Sequence, residues 1–392
     1  MGSGASVRGQ ILTRLDPDAF RLLVQGRRII AVSGTNGKTT STHFVAAGLR
    51  EALGEAGADR LVHNADGANL HYGIASALSK AQACDLAVLE TDERVVADLL
   101  RDGRPEVLVL LNFSRDQLDR NHEIKFLGRD WRNALERAGD GGPVVIANAD
   151  DPLVTWAAEK AHRVVWVAAA TTWNADAAMC PNCGALLDRT DGRWSCPSCG
   201  LAQHEADYAV RDGSIQLPDG RVVDPALQVP GTFNIANAAM ALAAVAEFGV
   251  DADTALRGFR RVQAPAGRFS TASIGGGTFR LILSKNPAGW AESLPLLETD
   301  PCLLAIDSVA ADGKDVSWLW DVDFEQLRGR RVIATGPRAY DLAVRLTYAG
   351  VDHEVIVDLA EALAAVSDPT RDVDVIATYT PFQKLLKMAG LR

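Results

Sequence analysis

The sequence predicts an α/β protein: a doubly wound parallel sheet carrying a phosphate-binding loop, with a second α/β unit after it. Three observations predict this class. The run Gly34-Thr35-Asn36-Gly37-Lys38-Thr39-Thr40 follows the apolar segment Ile29-Ile30-Ala31-Val32 and precedes a helical repeat of Val45, Leu49 and Leu53. Apolar strand-like runs then alternate with helical stretches, the mark of a sheet wound by helices. Several of those runs end in acidic residues, at the sheet edge where open α/β folds bind ligands.

At 392 residues the chain is long enough for two or three domains, each with its own core. With 47% hydrophobic and 23% charged residues it has the composition of a soluble globular protein. A formal net charge of -10 with no long basic run argues against a general nucleic-acid binder. No stretch of about 18 apolar residues is present, so no membrane-spanning helix is expected. The start of the chain, Met1 to Asp16, lacks the apolar core of a signal peptide, which makes a cytoplasmic location the expectation.

The first element is a phosphate cradle. Gly34 and Gly37 let backbone N–H groups close on phosphates, the start of the following helix favours negative charge, and Lys38 adds a point charge. A hydroxyl at Thr39 or Thr40 is suited to a nucleotide-bound magnesium ion. Val32 occupies the position of the first glycine of the usual phosphate loop, a departure that narrows the type. Next come three apolar strands. Residues 85–89 end at Glu90-Thr91-Asp92-Glu93, residues 107–111 at Asn112-Phe113-Ser114-Arg115-Asp116-Gln117-Leu118-Asp119, and residues 144–146 just before Asn148-Ala149-Asp150-Asp151-Pro152. One acidic strand end alone would be an ordinary helix cap. Three in a chain with a phosphate loop predict one magnesium-nucleotide site.

Four of the six cysteines form two CPxCG knuckles, Cys180-Pro-Asn-Cys183-Gly and Cys196-Pro-Ser-Cys199-Gly. Four thiolates at that spacing suit a closed tetrahedral zinc site, a structural staple without an open position for catalytic water. Disulfides are the competing pairing, disfavoured in a reducing cytoplasm. Cys84 and Cys302 lie in apolar surroundings and are expected in the core. From about residue 264 a second α/β unit is predicted, with strands at 279–283, 303–307, 331–334 and 373–377. Within it Asp307, Asp312, Asp315, Asp321 and Asp323 crowd around Trp318 and Trp320. A solvated acidic loop, a buried strand face for the two tryptophans, and an exposed binding surface are the alternatives. The expected domains are residues 1–263, with a zinc-ribbon insertion at about 176–204, and residues 264–392.

Together the segments GTNGKTT, LETDE, NFSRDQLD, NADDP and Gly231-Thr232-Phe233-Asn234-Ile235-Ala236-Asn237-Ala238 resemble the central domain of the Mur ligase superfamily. With the CPxCG ribbon, Lys285-Asn286-Pro287-Ala288-Gly289 and the segment from Asp312 to Asp321 (DGKDVSWLWD), the chain is similar to the MurT family, ATP-using subunits of lipid II isoglutaminyl synthase. Only about thirty residues precede the phosphate loop, so the UDP-binding domain that other Mur ligases carry there is expected to be missing.

What the resemblance implies is specific. ATP would phosphorylate the α-carboxylate of D-glutamate in the lipid II stem peptide, and ammonia would displace the phosphate to give D-isoglutamine. Glu90 matches the family's metal-binding glutamate, beside Thr39 on magnesium. Asn234 matches an asparagine near adenine, with helix capping as the alternative. Arg268, in Ala266-Gly267-Arg268, matches an arginine at the interdomain cleft, with a plain linker charge as the alternative. The implied partner is a GatD-like glutamine amidotransferase with cysteine and histidine, and the implied place of work is the inner face of the membrane. An aspartate of this chain would complete the partner's triad by orienting its histidine; Asp315 is the choice and Asp312 the reserve. Asn121 stands where other Mur ligases often have a histidine, with His122 adjacent, and Lys125 is not assigned as a carbamylated lysine. The rival functions are an amino-acid-adding Mur ligase and a non-enzymatic binding module with a degenerate nucleotide site. An intact GKT argues against degeneracy.

Overall fold

The computed structural model describes residues 4–65, 67–115, 124–170, 175–263, 269–309, 312–368 and 370–391. The chain divides into two compact units. One is drawn from residues up to Ser114 and from Ile124–Gln263, and the other holds Arg115 and the chain from Phe269 onward.

In the first unit the strands are β1 (Arg28–Ser33), β2 (Leu61–His63), β3 (Leu86–Glu90), β4 (Val107–Leu110), β5 (Val144–Asn148), β6 (Arg163–Ala168), β7 (Tyr208–Arg211), β8 (Ser214–Gln216) and β9 (Val222–Val223). They form one sheet in the order β2-β3-β1-β4-β5-β6-β7-β8-β9. From β2 to β7 neighbours run parallel, and β8 and β9 add an antiparallel edge. Strands β3 and β4 are buried along their whole length, as the near-continuous apolar runs of a doubly covered sheet require. The chain moves from β1 to β2 and β3 on one side, then to β4, β5 and β6 on the other. Such a reversal leaves a crevice at the strands' carboxyl ends, and the phosphate-loop sequence lies there.

Helix Lys38–Gly57 follows β1 and buries Val45 and Leu49, as the repeat predicted, and Gly54 at φ 64° interrupts it one residue after Leu53. Two helices, Thr232–Ala246 and Ala252–Phe259, pack on it. Glycine lets them come close: a Cβ at Gly48 would stand 2.9 Å from the Phe259 ring, and one at Gly258 would stand 2.5 Å from the Ala47 carbonyl.

The second unit contains β10 (Phe269–Ile274), β11 (Gly277–Leu283), β12 (Cys302–Ala305), β13 (Arg331–Thr335), β14 (Asp352–Val355) and β15 (Asp372–Ala377), in the order β10-β11-β15-β12-β13-β14. Only the β10–β11 hairpin is antiparallel. Each face of this sheet has its own apolar cluster, one around Trp290 and Phe324 and one around Phe279 and Phe382.

One expectation changes and one alternative falls. Cys302 is buried in β12, but Cys84 sits half-buried in the turn before β3, its thiol donating to the Asp59 carbonyl. Trp318 and Trp320 lie on a short 3-10 turn, Ser317–Asp321, and not on a strand. That turn places Trp318 6.1 Å from Trp290, and it leaves Trp320 55% exposed against Tyr348.

Candidate nucleotide site and cysteine centre

Both loop glycines are dictated by their neighbours. Gly34 has φ 142° and a Cβ there would meet the Asn112 amide nitrogen at 2.9 Å. Gly37, with φ 85°, opens the helix, and a Cβ there would meet Asn237 Oδ1 at 2.4 Å. The segment after β4 splints the loop. Thr35 N donates to Asn112 O at 2.9 Å, Asn36 N donates to Asn112 Oδ1 at 2.9 Å, and Asn112 Nδ2 donates to Asn36 O at 3.1 Å. Ser114 N donates to Thr35 Oγ1 at 3.1 Å. The described part of NFSRDQLD therefore shapes the loop, while its acidic residues Asp116 and Asp119 lie outside the described residues.

Lys38 is only 7% exposed. Its Nζ folds back over the loop, donating to the carbonyls of Gly34 and Thr35 and pairing with Glu93 Oε2 at 3.2 Å. Asp92, next to Glu93, is pushed up by burial, but its bonds to Arg94 and the charge of Lys38 outweigh that, so its carboxyl titrates below the usual range.

Glu90 ends β3 opposite Val32. Asn64 grips its backbone, Oδ1 accepting from Glu90 N and Nδ2 donating to Glu90 O, both at 2.8 Å. Asn69 Nδ2 donates to Glu90 Oε1 at 3.0 Å, and the buried Oε2 has no hydrogen-bond partner. A Cβ on Gly67 would stand 3.8 Å from that Oε2 and 4.0 Å from Thr39 Oγ1, so a glycine faces both oxygens. A buried carboxylate oxygen without a hydrogen-bond partner and a hydroxyl, both facing the same glycine, are hard-oxygen donors of the kind magnesium takes. Asn64, Gly67 and Asn69 were not singled out from the sequence; the polar run NADGAN after a short strand was the available signal.

NADDP plays a different part. Asp151 caps helix Pro152–Ala158 through Leu153 N and Val154 N, and its other oxygen accepts from Phe113 N at 2.7 Å. Both oxygens are thus committed to backbone donors. Asn148 Nδ2 donates to Leu111 O at 2.8 Å. Asn234 lies in the first turn of helix Thr232–Ala246, where Gly231 is the cap; its Nδ2 donates to Pro230 O, and its Oδ1 accepts from Asn237 Nδ2 at 3.1 Å. Asn234 is therefore one side chain removed from Gly37. Arg268 lies outside the described residues.

The four cysteine Sγ atoms all lie within 4.8 Å of one another, and none forms a disulfide. The knuckles repeat one geometry: Cys180 N donates to Ala185 O and Cys196 N to Leu201 O, each at 2.7 Å, with Gly184 and Gly200 at φ 80° and 79°. Left-handed turns of that kind need glycine. Four convergent thiols without a second ligand type fit a closed structural zinc site.

In the second unit Asp315 is exposed, accepting from Ser317 N at 2.8 Å and from Ser317 Oγ at 2.9 Å. Asp312 is buried, with Oδ1 accepting from Thr380 N and Oδ2 unpartnered, and burial pushes its carboxyl up. Both line a cavity of about 70 Å³ with Lys285, Asn286, Trp318 and Asp321, the last paired with Arg115 at 3.2 Å. Asn286 caps helix Pro287–Ser293, which accounts for the order Lys-Asn-Pro in that motif.

Residues 32–245 match the Mur ligase middle domain family, and residues 283–382 match the MurT ligase C-terminal family. A Staphylococcus aureus (strain N315) protein named lipid II isoglutaminyl synthase (glutamine-hydrolyzing) subunit MurT is 30% identical, covering 98% of this chain and 92% of its own. The chain belongs to the MurT family. A second MurT, from Streptococcus pneumoniae (strain ATCC BAA-255 / R6), is 28% identical over 100% of this chain and 94% of its own. Like these MurT subunits, the protein is a Mur-type ligase. Its fold is also that of MurF from Acinetobacter baumannii, with TM-score 0.69 and 16% identity over 97% of this chain and 80% of that one. Escherichia coli FolC, solved with DHPP and ADP, aligns over 100% of this chain and 94% of its own with TM-score 0.62 and 16% identity. Among the described residues of this MurT relative, no helix is long and apolar enough to cross a membrane.

Proposed function

We propose that this MurT-family chain is the ATP-using subunit of a lipid II isoglutaminyl synthase, working in peptidoglycan synthesis on substrate presented at the inner membrane face. The observation that carries the proposal is the phosphate loop with its buried Lys38, set in the same unit as Glu90, whose Oε2 is buried and unpaired. A carboxylate oxygen of the D-glutamate attacks the γ-phosphorus; an O–P bond forms, the bond to ADP breaks, and an acyl phosphate results. Ammonia then attacks the acyl carbon, a C–N bond forms, phosphate leaves and the nitrogen loses a proton. Lys38 stabilises the charge that builds on the transferring phosphoryl group, and Thr39 and Glu90 would hold Mg²⁺, which neutralises charge on the nucleotide phosphates when bound. Asn234, bonded to the Asn237 that stands against Gly37, is proposed to lie near the adenine on the family match. Arg268 is proposed as a nucleotide-binding residue on the family match alone.

Ammonia must come from elsewhere. Four of the cysteines are gathered in the ribbon, and burial pushes the Cys302 thiol up to about 12, far from a thiolate nucleophile. Cys84 spends its S–H on a carbonyl. This supports the GatD-like amidotransferase partner that the family match implies as the source of the nucleophile, with exposed Asp315 proposed to face the partner's histidine.

The decisive experiment combines the chain with MgATP, lipid II, glutamine and the amidotransferase. Lys38→Ala should lower ATP-dependent amidation by about 10²-fold or more, with unchanged circular dichroism. Amidation at the wild-type rate by that variant would overturn the assignment.

A further inference from the structure

The ribbon touches more than its own metal site. Trp194, 3% exposed and two residues before Cys196, donates its indole N–H to Ala149 O at 3.0 Å. Gln203, four residues after Cys199, donates Nε2 to Asp150 Oδ1 at 2.8 Å, while its Oε1 accepts from Trp194 N at 3.3 Å. Trp156, on the helix that Asp151 caps, donates to Asn182 Oδ1 in the first knuckle at 3.3 Å. Cys180, Trp194, Cys196 and Leu201 share one buried cluster with Leu153 and Trp156. From the NADDP turn the bonds continue inward: Asn148 and Asp151 hold Leu111 and Phe113, and Asn112 and Ser114 hold Thr35 and Asn36 of the phosphate loop.

We infer that Trp194 and Gln203 are positioning residues for the nucleotide: the metal-loaded ribbon fixes the Ala149-Asp150 turn, and through residues 111–114 it fixes the phosphate loop. This rests on the nucleotide-site reading above. The knuckle geometry sets where both side chains can point, because each lies within four residues of a ligand cysteine. Removing the metal frees both, and the turn loses two donors at once, one to a buried carbonyl that water cannot readily serve.

The test uses the full-length zinc-loaded chain and two variants that remove a donor while keeping bulk, Trp194→Phe and Gln203→Met. Three quantities are read: bound zinc, the dissociation constant for MgATP, and amide hydrogen exchange at residues 34–40 and 111–114. Both variants should keep one zinc per chain, bind MgATP about 5- to 20-fold more weakly, and exchange faster in both segments. In the complete synthase, the KM for ATP should rise while kcat and the KM for glutamine stay near wild type. Zinc-loaded variants with wild-type exchange and wild-type MgATP affinity would overturn the inference. If exchange quickens but even the wild-type chain fails to bind MgATP, the clamp stands and the nucleotide-site reading falls.

Discussion

His63 closes β2 with its ring 5.0 Å from that of His43 and its Nδ1 3.3 Å from Arg50, while Nε2 is buried without a partner. Burial pushes this imidazole down to about 3, and the positive charge of His43 and Arg50 adds to the push. An unfolded histidine titrates near 6.5, so below that pH the unfolded chain takes up a proton that the folded chain refuses. The associated stability is present above about pH 6.5 and is lost as pH falls toward 3, at up to about 1.4 kcal/mol per pH unit. His63→Gln should flatten that part of the profile, read as urea unfolding free energy at pH 7.5, 6 and 5; parallel profiles for the two proteins would count against it. At this scale the sequence revealed residues whose chemistry is local: Gly34, Gly37 and Lys38 by their spacing, and Glu90 by its place at a strand end. Asn64 and Asn69 stayed hidden because their partner lies more than twenty positions away along the chain, and asparagine after a short strand reads as a turn.

At the scale of elements the ribbon is the instructive case. The CPxCG spacing made its four ligands legible, since each knuckle is built by hydrogen bonds inside a span of six residues. Its attachment was not legible, because Trp194 and Gln203 bond to a turn some fifty residues earlier. Strands β7 to β9 were equally obscure: they are short, and Arg211, Ser214 and Gln216 dilute any apolar alternation. Since Cys180 and Cys196 are buried in the main cluster of their unit, Cys180→Ser or Cys196→Ser should lower zinc content and cost about 3 kcal/mol, about 6–10 °C in the unfolding midpoint. Calorimetry with metal analysis checks this, and an unchanged midpoint in zinc-free protein would contradict it. If the ribbon were only a staple, activity per folded molecule would be unchanged; the clamp predicts weaker nucleotide binding instead.

For the whole molecule, alternating strands and helices announced two α/β units, and parallel strands buried on both faces are legible because they are continuous apolar runs. The acidic loop around Asp315 was ambiguous, since exposure cannot be read from charge. Asp315 now offers a clean substitution: Asp315→Asn retains an acceptor for Ser317 N, so the loop should hold while the negative charge is lost. Glutamine hydrolysis by the complex should then fall, by up to about 10⁴-fold if the carboxylate orients a histidine as it does in serine proteases. Free ammonia should restore amidation. Normal hydrolysis, or failure of that rescue, would return Asp315 to a structural role. Asp312→Asn is the harsher change, because Asp312 is buried and holds Thr380.

Strands β6 and β7 are parallel neighbours, with Val167 facing Tyr208 and Ala168 facing Ala209, and the ribbon lies between them in the sequence. Two adjacent parallel strands cannot be joined by a tight turn; the chain has to travel back along the sheet, normally as a helix. Here the cysteine module makes that return journey. A deletion that simply closed the gap would therefore reverse or expel β7 and the edge strands behind it. Any minimised version of this protein has to replace the ribbon with another crossover of comparable reach.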